Sequence, residues 1–217
     1  MICDILTSRL IDNSDRHIRE FSYNGRHFEF YNRGWWSRTF EYAWMIDAAQ
    51  AHFASITNKT AIDIATGDCH PGALILQSLG FKTTGTDLYA PSKFPYPESG
   101  ITYITDDIVY SQLNEQYDCV CCISVLEHIS HNYQEQALHN ILKRVRPGGC
   151  AILTFDSPGY DSVTDIELYH KVVNDIGFTT TRDQSNDPIR SSKLPTSHDV
   201  QSLDLKCYRL FAANLNS

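Results

Sequence analysis

The chain has 217 residues, 42% of them hydrophobic and 20% charged, the composition of a globular protein of about one domain rather than a disordered, collagenous or coiled-coil chain. Acids outnumber bases by 26 to 18, a formal charge of −8, so the basic face by which a protein displaces counterions from nucleic acid is not expected. Apolar stretches such as AAQAHFA and CVCCISVL fall short of the roughly 18–20 residues of a membrane span, and the N-terminus lacks the apolar core of a secretion signal.

Residues 1–35 are polar and rich in Arg, His and aromatics, and read as an N-terminal arm in front of a single domain at 36–217. From Trp36 to about Ile56 apolar residues recur at spacings of three and four, which predicts a helix broken by Asn58. TAIDIA (60–65) is short, β-branched and bounded by Gly67, as a strand is. PGALILQSLGF (71–81) then predicts a helix, with Pro71 in its first turn and Gly80 just past its end. KTTGTDLY (82–89) gives a second strand ending at Asp87, and a loop with three prolines leads to a third at ITYIT (101–105). YDCVCCIS (117–124) is a fourth, with a helix in the segment behind it. RPGG is expected to be a turn into a fifth strand, CAILTF (150–155); DIELYHKVVNDIGF follows as a helix and KCYRLFAANL (206–215) as a last strand.

Strands alternating with helices from 60 to 178 specify a parallel sheet covered on both faces, whose ligands lie at the carboxyl ends of the strands. Chemistry is therefore sought just after residues 65, 87, 105, 123 and 155. The segment after the first strand, IDIATGDCHPG, matches neither the dinucleotide fingerprint nor the phosphate loop. Asp87, 20 residues beyond Gly67, has two oxygens that can accept from both hydroxyls of a ribose, or else serves a turn. Asp106 and Asp107 stand after the third strand, where a carboxylate could accept from an adenine amine, or again serve a turn.

Taken with YDCVCCISVLEHISH and RVRPGGCAILTFD, these segments resemble the class I S-adenosylmethionine-dependent methyltransferases over residues 61–156. The resemblance rests on Ile62-Asp63-Ile64, Asp87, Asp106, Tyr117-Asp118, Leu126-Glu127-His128 and Arg146-Pro147-Gly148-Gly149, in register. Ala65 and Cys69 depart from it, standing where the family usually has glycines, and Gly67 is kept. The resemblance implies a Rossmann-like three-layer sandwich around a seven-stranded mixed sheet, ordered 3-2-1-4-5-7-6 with the last strand antiparallel. It implies S-adenosylmethionine as cofactor and S-adenosylhomocysteine as product. Ala65, Thr66, Gly67 and Cys69 would pack against the methionine part, with Asp63 beneath them. Asp87 and Leu88 would lie at the ribose, Asp106 or Asp107 at the adenine, and Ile123 and Ser124 beside the cofactor. The Pro-Gly-Gly segment would be structural, on the far side of the sheet.

The expected activity is methyl transfer to a small-molecule acceptor such as a metabolite, sugar or lipid head group, without nucleic-acid or membrane partners. His128 is the candidate base, needed only if the acceptor must lose a proton at attack; the alternative is a helix-start histidine packed under the cofactor. Trp36, Arg38, Asp156 and Tyr160 are candidates for the acceptor side, with the aromatic arm as a lid and Arg38 facing a carboxylate or phosphate. No metal is expected: Cys119, Cys121 and Cys122 lie along a strand, where alternating side chains point to opposite faces, and no second cysteine pair has ligand spacing to go with them and His128 or His131. The clustered cysteines read as reduced core thiols, hence a cytoplasmic protein. Two competing readings are a non-catalytic binding module on the same fold and a nicotinamide-dependent reductase. The reductase would need its Tyr-x-x-x-Lys pair on a helix, whereas Tyr89 and Lys93 sit in a proline-containing loop.

Overall fold

The computed structural model describes residues 37–67, 71–89, 100–157, 166–181 and 206–215, with short strands at 11–12, 17–18, 20–23, 26–29 and 189–190. The elements in chain order begin with β1 (Ile11–Asp12), β2 (His17–Ile18), β3 (Glu20–Tyr23) and β4 (Arg26–Glu29). There follow α1 (Arg38–Phe53), β5 (Thr60–Ile64), α2 (Pro71–Ser78), β6 (Lys82–Asp87), β7 (Thr102–Thr105) and β8 (Tyr117–Ile123). A 3-10 turn at Leu126–His128 precedes α3 (His131–Leu142), β9 (Val145–Ser157), α4 (Ile166–Asp175), β10 (Thr179–Thr181), β11 (Ile189–Arg190) and β12 (Lys206–Ala213).

The main sheet runs β10-β12-β9-β8-β5-β6-β7, with β11 paired to β12 off that path. Counted from β5, this is the order 3-2-1-4-5-7-6. β5, β6, β7, β8 and β9 pair in parallel, and β12 is antiparallel to both β9 and β10. The expected architecture is therefore observed. Within the arm, β1 pairs with β2 and β3 with β4, both antiparallel, so what composition presented as a mixed segment contains two small ribbons.

Alternation along the central strands sorts their side chains to opposite layers. Cys119, Cys121, Cys150 and Ile152 face α1 and α2, joining Met45, Ile46, Ala49, Phe53 and Leu74. Val120, Cys122, Ala151 and Leu153 face α3 and α4, joining Leu138, Ile141, Tyr169 and Val172. Cys119, Cys121, Cys122 and Cys150 are free, buried thiols. α3 offers a stripe at helical spacing, Gln134, Ala137, Leu138, Ile141 and Leu142, whereas α2 is buried continuously from Pro71 to Leu76. Complete burial of one Leu or Ile side chain is worth about 1.5–3 kcal/mol, so these two layers hold the sheet flat between the helices.

The RPGG segment corrects the expectation of a turn: β9 starts at Val145 and runs through it, its register against β8 shifting between Tyr117 and Cys119. The reason is tertiary. The amide of Gly148, at φ +77°, donates to Asn214 O, while the Asn214 amide donates to Gly149 O, so the end of β12 completes the ladder. A Cβ on Gly149 would lie 2.5 Å from the Asp118 carbonyl oxygen, which requires glycine there. This irregularity sits at the amino end of β9, opposite the strand ends where ligands bind. No helix among the described residues is long and apolar enough to cross a membrane.

Candidate functional site

The carboxyl ends of β5, β6, β7, β8 and β9 form one rim, where Ala65, Thr66, Gly67, Asp87, Asp106, Asp107, Ile123 and Ser124 stand. After β5 the chain turns at Ala65, whose φ is +55°, and Gly67, at +68°. The Thr66 amide donates to Thr86 O at 2.9 Å and the Gly67 amide to Asp87 Oδ2 at 2.9 Å, so the loop after β5 is hung on the end of β6. Asp87 is half-buried, and the Tyr89 amide lies 3.4 Å from its second oxygen. Leu88 and Tyr89 are exposed beyond it.

Asp63 lies under this loop, 3% exposed. It accepts from the Thr66 hydroxyl at 2.6 Å and from the Ala73 amide in the first turn of α2. A Cβ on Gly72 would stand 2.6 Å from Asp63 Oδ2, so glycine is what lets the helix end approach the acid. Burial pushes the Asp63 carboxyl up to about 7, and the Asp87 charge adds to this, against the Thr66 and Ala73 hydrogen bonds and the Arg38 charge.

The two acids after β7 are engaged differently. Asp106 Oδ2 pairs with Arg144 Nη2 at 2.6 Å, and Arg144, wholly buried at the end of α3, also donates to Ser111. Asp107 Oδ1 accepts from the Val109 amide at 2.9 Å, closing a local turn. The adenine role and the turn role weighed for Asp106 and Asp107 thus meet two residues already holding protein donors, each with a second carboxylate oxygen still to be assigned.

At the ends of β8 and β9 stands a buried polar cluster that spacing did not indicate. Ile123 is buried, and Ser124, at φ +49°, donates its amide to Thr154 O and to Thr154 Oγ1. Both hydroxyls, Ser124 Oγ and Thr154 Oγ1, donate to Glu41 Oε1 at 2.5 Å. Glu41 Oε2 accepts from Ser37 Oγ at 3.0 Å and from Arg38 Nη1 at 2.6 Å. Glu41, in the first turn of α1, is 0% exposed. Burial disfavours its charge, but Arg38 and the hydroxyl donors outweigh burial and hold the carboxyl below its ordinary value. Burial likewise opposes the charge of Arg38, and Glu41, Tyr42 and Glu127 keep it protonated, its pKa raised. The Arg38 side chain remains 20% exposed.

Glu127, 1% exposed, accepts from the Asp156 amide at 3.2 Å; burial, with Glu41 nearby, pushes its carboxyl up to about 7. Asp156 is buried beside it, and His128 is exposed at the end of the 3-10 turn. Of the predicted residues, Trp36, Cys69 and Tyr160, and with them the Lys93 loop, lie outside the described residues. Glu41 was the omission. Its signal was available: it shares a helical face with Met45, Ala49 and Phe53, and an acid on an apolar stripe demands a buried partner.

An open, doubly wound sheet with acids and a glycine turn at the carboxyl ends of its strands belongs to the class of Rossmann-like ligand-binding domains. The chain belongs to the methyltransferase domain family, whose model matches residues 34–172. It is 27% identical over 147 residues to the ubiquinone biosynthesis O-methyltransferase of Rickettsia bellii. That match spans 58% of this chain and 59% of the relative, so the chain aligns with about three fifths of that protein's length. Two solved structures share the fold. One is the Burkholderia thailandensis 1,6-didemethyltoxoflavin-N1-methyltransferase, with S-adenosylhomocysteine and its substrate bound (18% identity, TM-score 0.60, covering 86% of this chain and 84% of that one). The other is the Synechocystis magnesium protoporphyrin IX methyltransferase with S-adenosylmethionine bound (17% identity, TM-score 0.58, covering 85% and 93%).

Proposed function

We propose that this chain is an S-adenosylmethionine-dependent methyltransferase acting on a small-molecule acceptor. The observation that carries the reading is the union of Gly67 and Asp87 at 2.9 Å in a chain of this family, which puts a glycine turn and a strand-end carboxylate on one rim. The donor set fits the cofactor's chemistry. Asp87 offers acceptors for a ribose diol, and the Arg38 guanidinium offers an anion site at the methionine end, its charge felt by Asp63 beneath the loop. The bound cofactor supplies an electrophilic sulfonium methyl.

The residues then do the rest by position. Asp87 orients the ribose. Thr66 and Gly67 shape the loop over the buried Asp63, whose carboxyl burial pushes up to about 7. Asp107 or the second oxygen of Asp106 meets the adenine amine, with Ile123, Ser124 and Leu88 alongside. Asp156, Trp36 and Tyr160 face the acceptor, and His128 takes a proton where the acceptor must lose one. Residues 1–35 form an arm, not a separate domain; β2 packs against α1, which supports placing the arm near the acceptor side. The free buried thiols support a cytoplasmic protein.

The test is calorimetry with S-adenosylmethionine, S-adenosylhomocysteine and NAD. Micromolar-range binding of the first two and none of NAD is expected; NAD binding without sulfonium binding overturns the reading. Likeness to an O-methyltransferase from Rickettsia bellii makes hydroxylated small molecules the first acceptors to screen, with methyl transfer read by mass spectrometry.

A further inference from the structure

The Glu41 carboxylate joins three parts of the molecule that are remote in sequence. It lies 83 residues from Ser124 and 113 from Thr154, and its partners on α1 are Ser37 and Arg38. Burying an ionised carboxylate costs several kcal/mol unless it is paired and hydrogen-bonded. A helix that needed only to cover the sheet would carry an apolar residue there, as it does at Met45 and Ala49, both 0% exposed. The charge therefore serves a geometry. Of its donors, Ser124 directly follows β8 and Thr154 lies near the end of β9, and Ser124 is held at φ +49°, an angle that L side chains seldom adopt. Its charged partner, Arg38, is the partly exposed member of the cluster.

We infer that Glu41 is a positioning residue. It locks the first turn of α1 onto the ends of β8 and β9 and thereby aims the Arg38 guanidinium at the amino-acid end of the bound cofactor. The inference rests on the methyltransferase reading above. With Glu41 in place, Arg38 is presented in one orientation, with Nη1 spent on Glu41 and its side chain still partly exposed, so that its other donors can meet a second carboxylate. Without the acid, the guanidinium is free to leave and Ser124 loses the acceptor that holds its hydroxyl.

The experiment compares two ligands on the folded protein. S-adenosylhomocysteine carries the amino-acid carboxylate; 5′-methylthioadenosine has the same nucleoside and lacks it. In Glu41→Gln, affinity for S-adenosylhomocysteine should fall at least about tenfold while that for 5′-methylthioadenosine stays within about twofold of the parent. Arg38→Met should show the same split, and the double variant should be no worse than Arg38→Met alone, because the acid acts through the cation. A merely structural role lowers both affinities together, and this overturns the inference, as does unchanged binding of both. If Glu41→Gln does not fold, Arg38→Met and Thr154→Val carry the test with the same split expected, the second smaller because one donor is removed and the others remain. Parent protein that binds neither ligand overturns the methyltransferase reading itself.

Discussion

Asp87 accepts from the Gly67 amide and, at 3.4 Å, from the Tyr89 amide, and the reading gives the rest of its acceptor capacity to a ribose. Hydrogen bonds to a charged group are worth about 1.5–3 kcal/mol each, so Asp87→Ala should weaken S-adenosylhomocysteine binding by at least about tenfold in calorimetry, with the circular dichroism spectrum unchanged. Ala65 is a different case. Its side chain stands where the family usually has glycine, and the difficulty is the backbone angle: φ is +55°, which costs a non-glycine residue roughly 1–2 kcal/mol. Ala65→Gly removes that strain but adds freedom to the unfolded chain, and the net gain should be below about 1 kcal/mol. A thermal midpoint that rises by a few degrees or less, with cofactor affinity kept, is the expected result; a fall shows that the angle is not strained.

Elements meet in this fold through charges placed at their ends. Arg144 closes α3 on the loop after β7 through Asp106, with the guanidinium wholly buried and the acid side chain 9% exposed. Breaking such a pair from one side leaves an uncompensated buried charge, typically at a cost of about 3–5 kcal/mol. Arg144→Met should therefore destabilise the protein by that order in urea unfolding, and far more than Asp118→Asn, whose partner Arg146 is 40% exposed at the other end of the sheet. Gly72→Ala tests the join of β5 to α2. The new Cβ would sit 2.6 Å from Asp63 Oδ2, so the helix or the acid must shift, at roughly 1–3 kcal/mol.

For the molecule as a whole, the buried acids set a pH dependence whose sign can be stated. The carboxyls of Asp63 and Glu127 are pushed up to about 7 by burial, so the folded chain holds their protons where the unfolded chain releases them at about pH 4. Their effect is most favourable below the unfolded value and is lost as pH rises towards 7. Glu41 runs the other way: its lowered carboxyl contributes above the unfolded value and loses that contribution as pH falls. Across pH 5 to 8 the first pair dominates, so the urea midpoint should fall with rising pH, and Glu127→Gln should flatten part of that fall while keeping an acceptor for the Asp156 amide. A parent midpoint that rises over this range contradicts the assigned burial of both acids.

Much of this was legible in the chain itself, because it depends on local rules. Alternating runs of strand and helix, Pro71 opening α2, Gly80 after it and Asp87 closing β6 are visible at spacings of a few residues, and the family resemblance implied the sheet order. The RPGG segment was misjudged as a turn because Gly and Pro look alike in a turn and in an irregular strand; only the arrival of Asn214 decides between them. The fate of Asp106 was out of reach of spacing, and for Glu41 spacing signalled burial but not the partners. Whether an acid on a rim faces a ligand or a buried cation depends on what the sheet order brings beside it, here Arg144 from 38 residues away and Thr154 from 113. The sequence by itself determined the alternation and the strand-end acids, which follow from periodicity and short-range geometry, and its motifs in register carried the resemblance to the family. Tertiary structure decided which acids are spent on the protein, because the cost of burying a charge is settled by partners that only the folded sheet assembles.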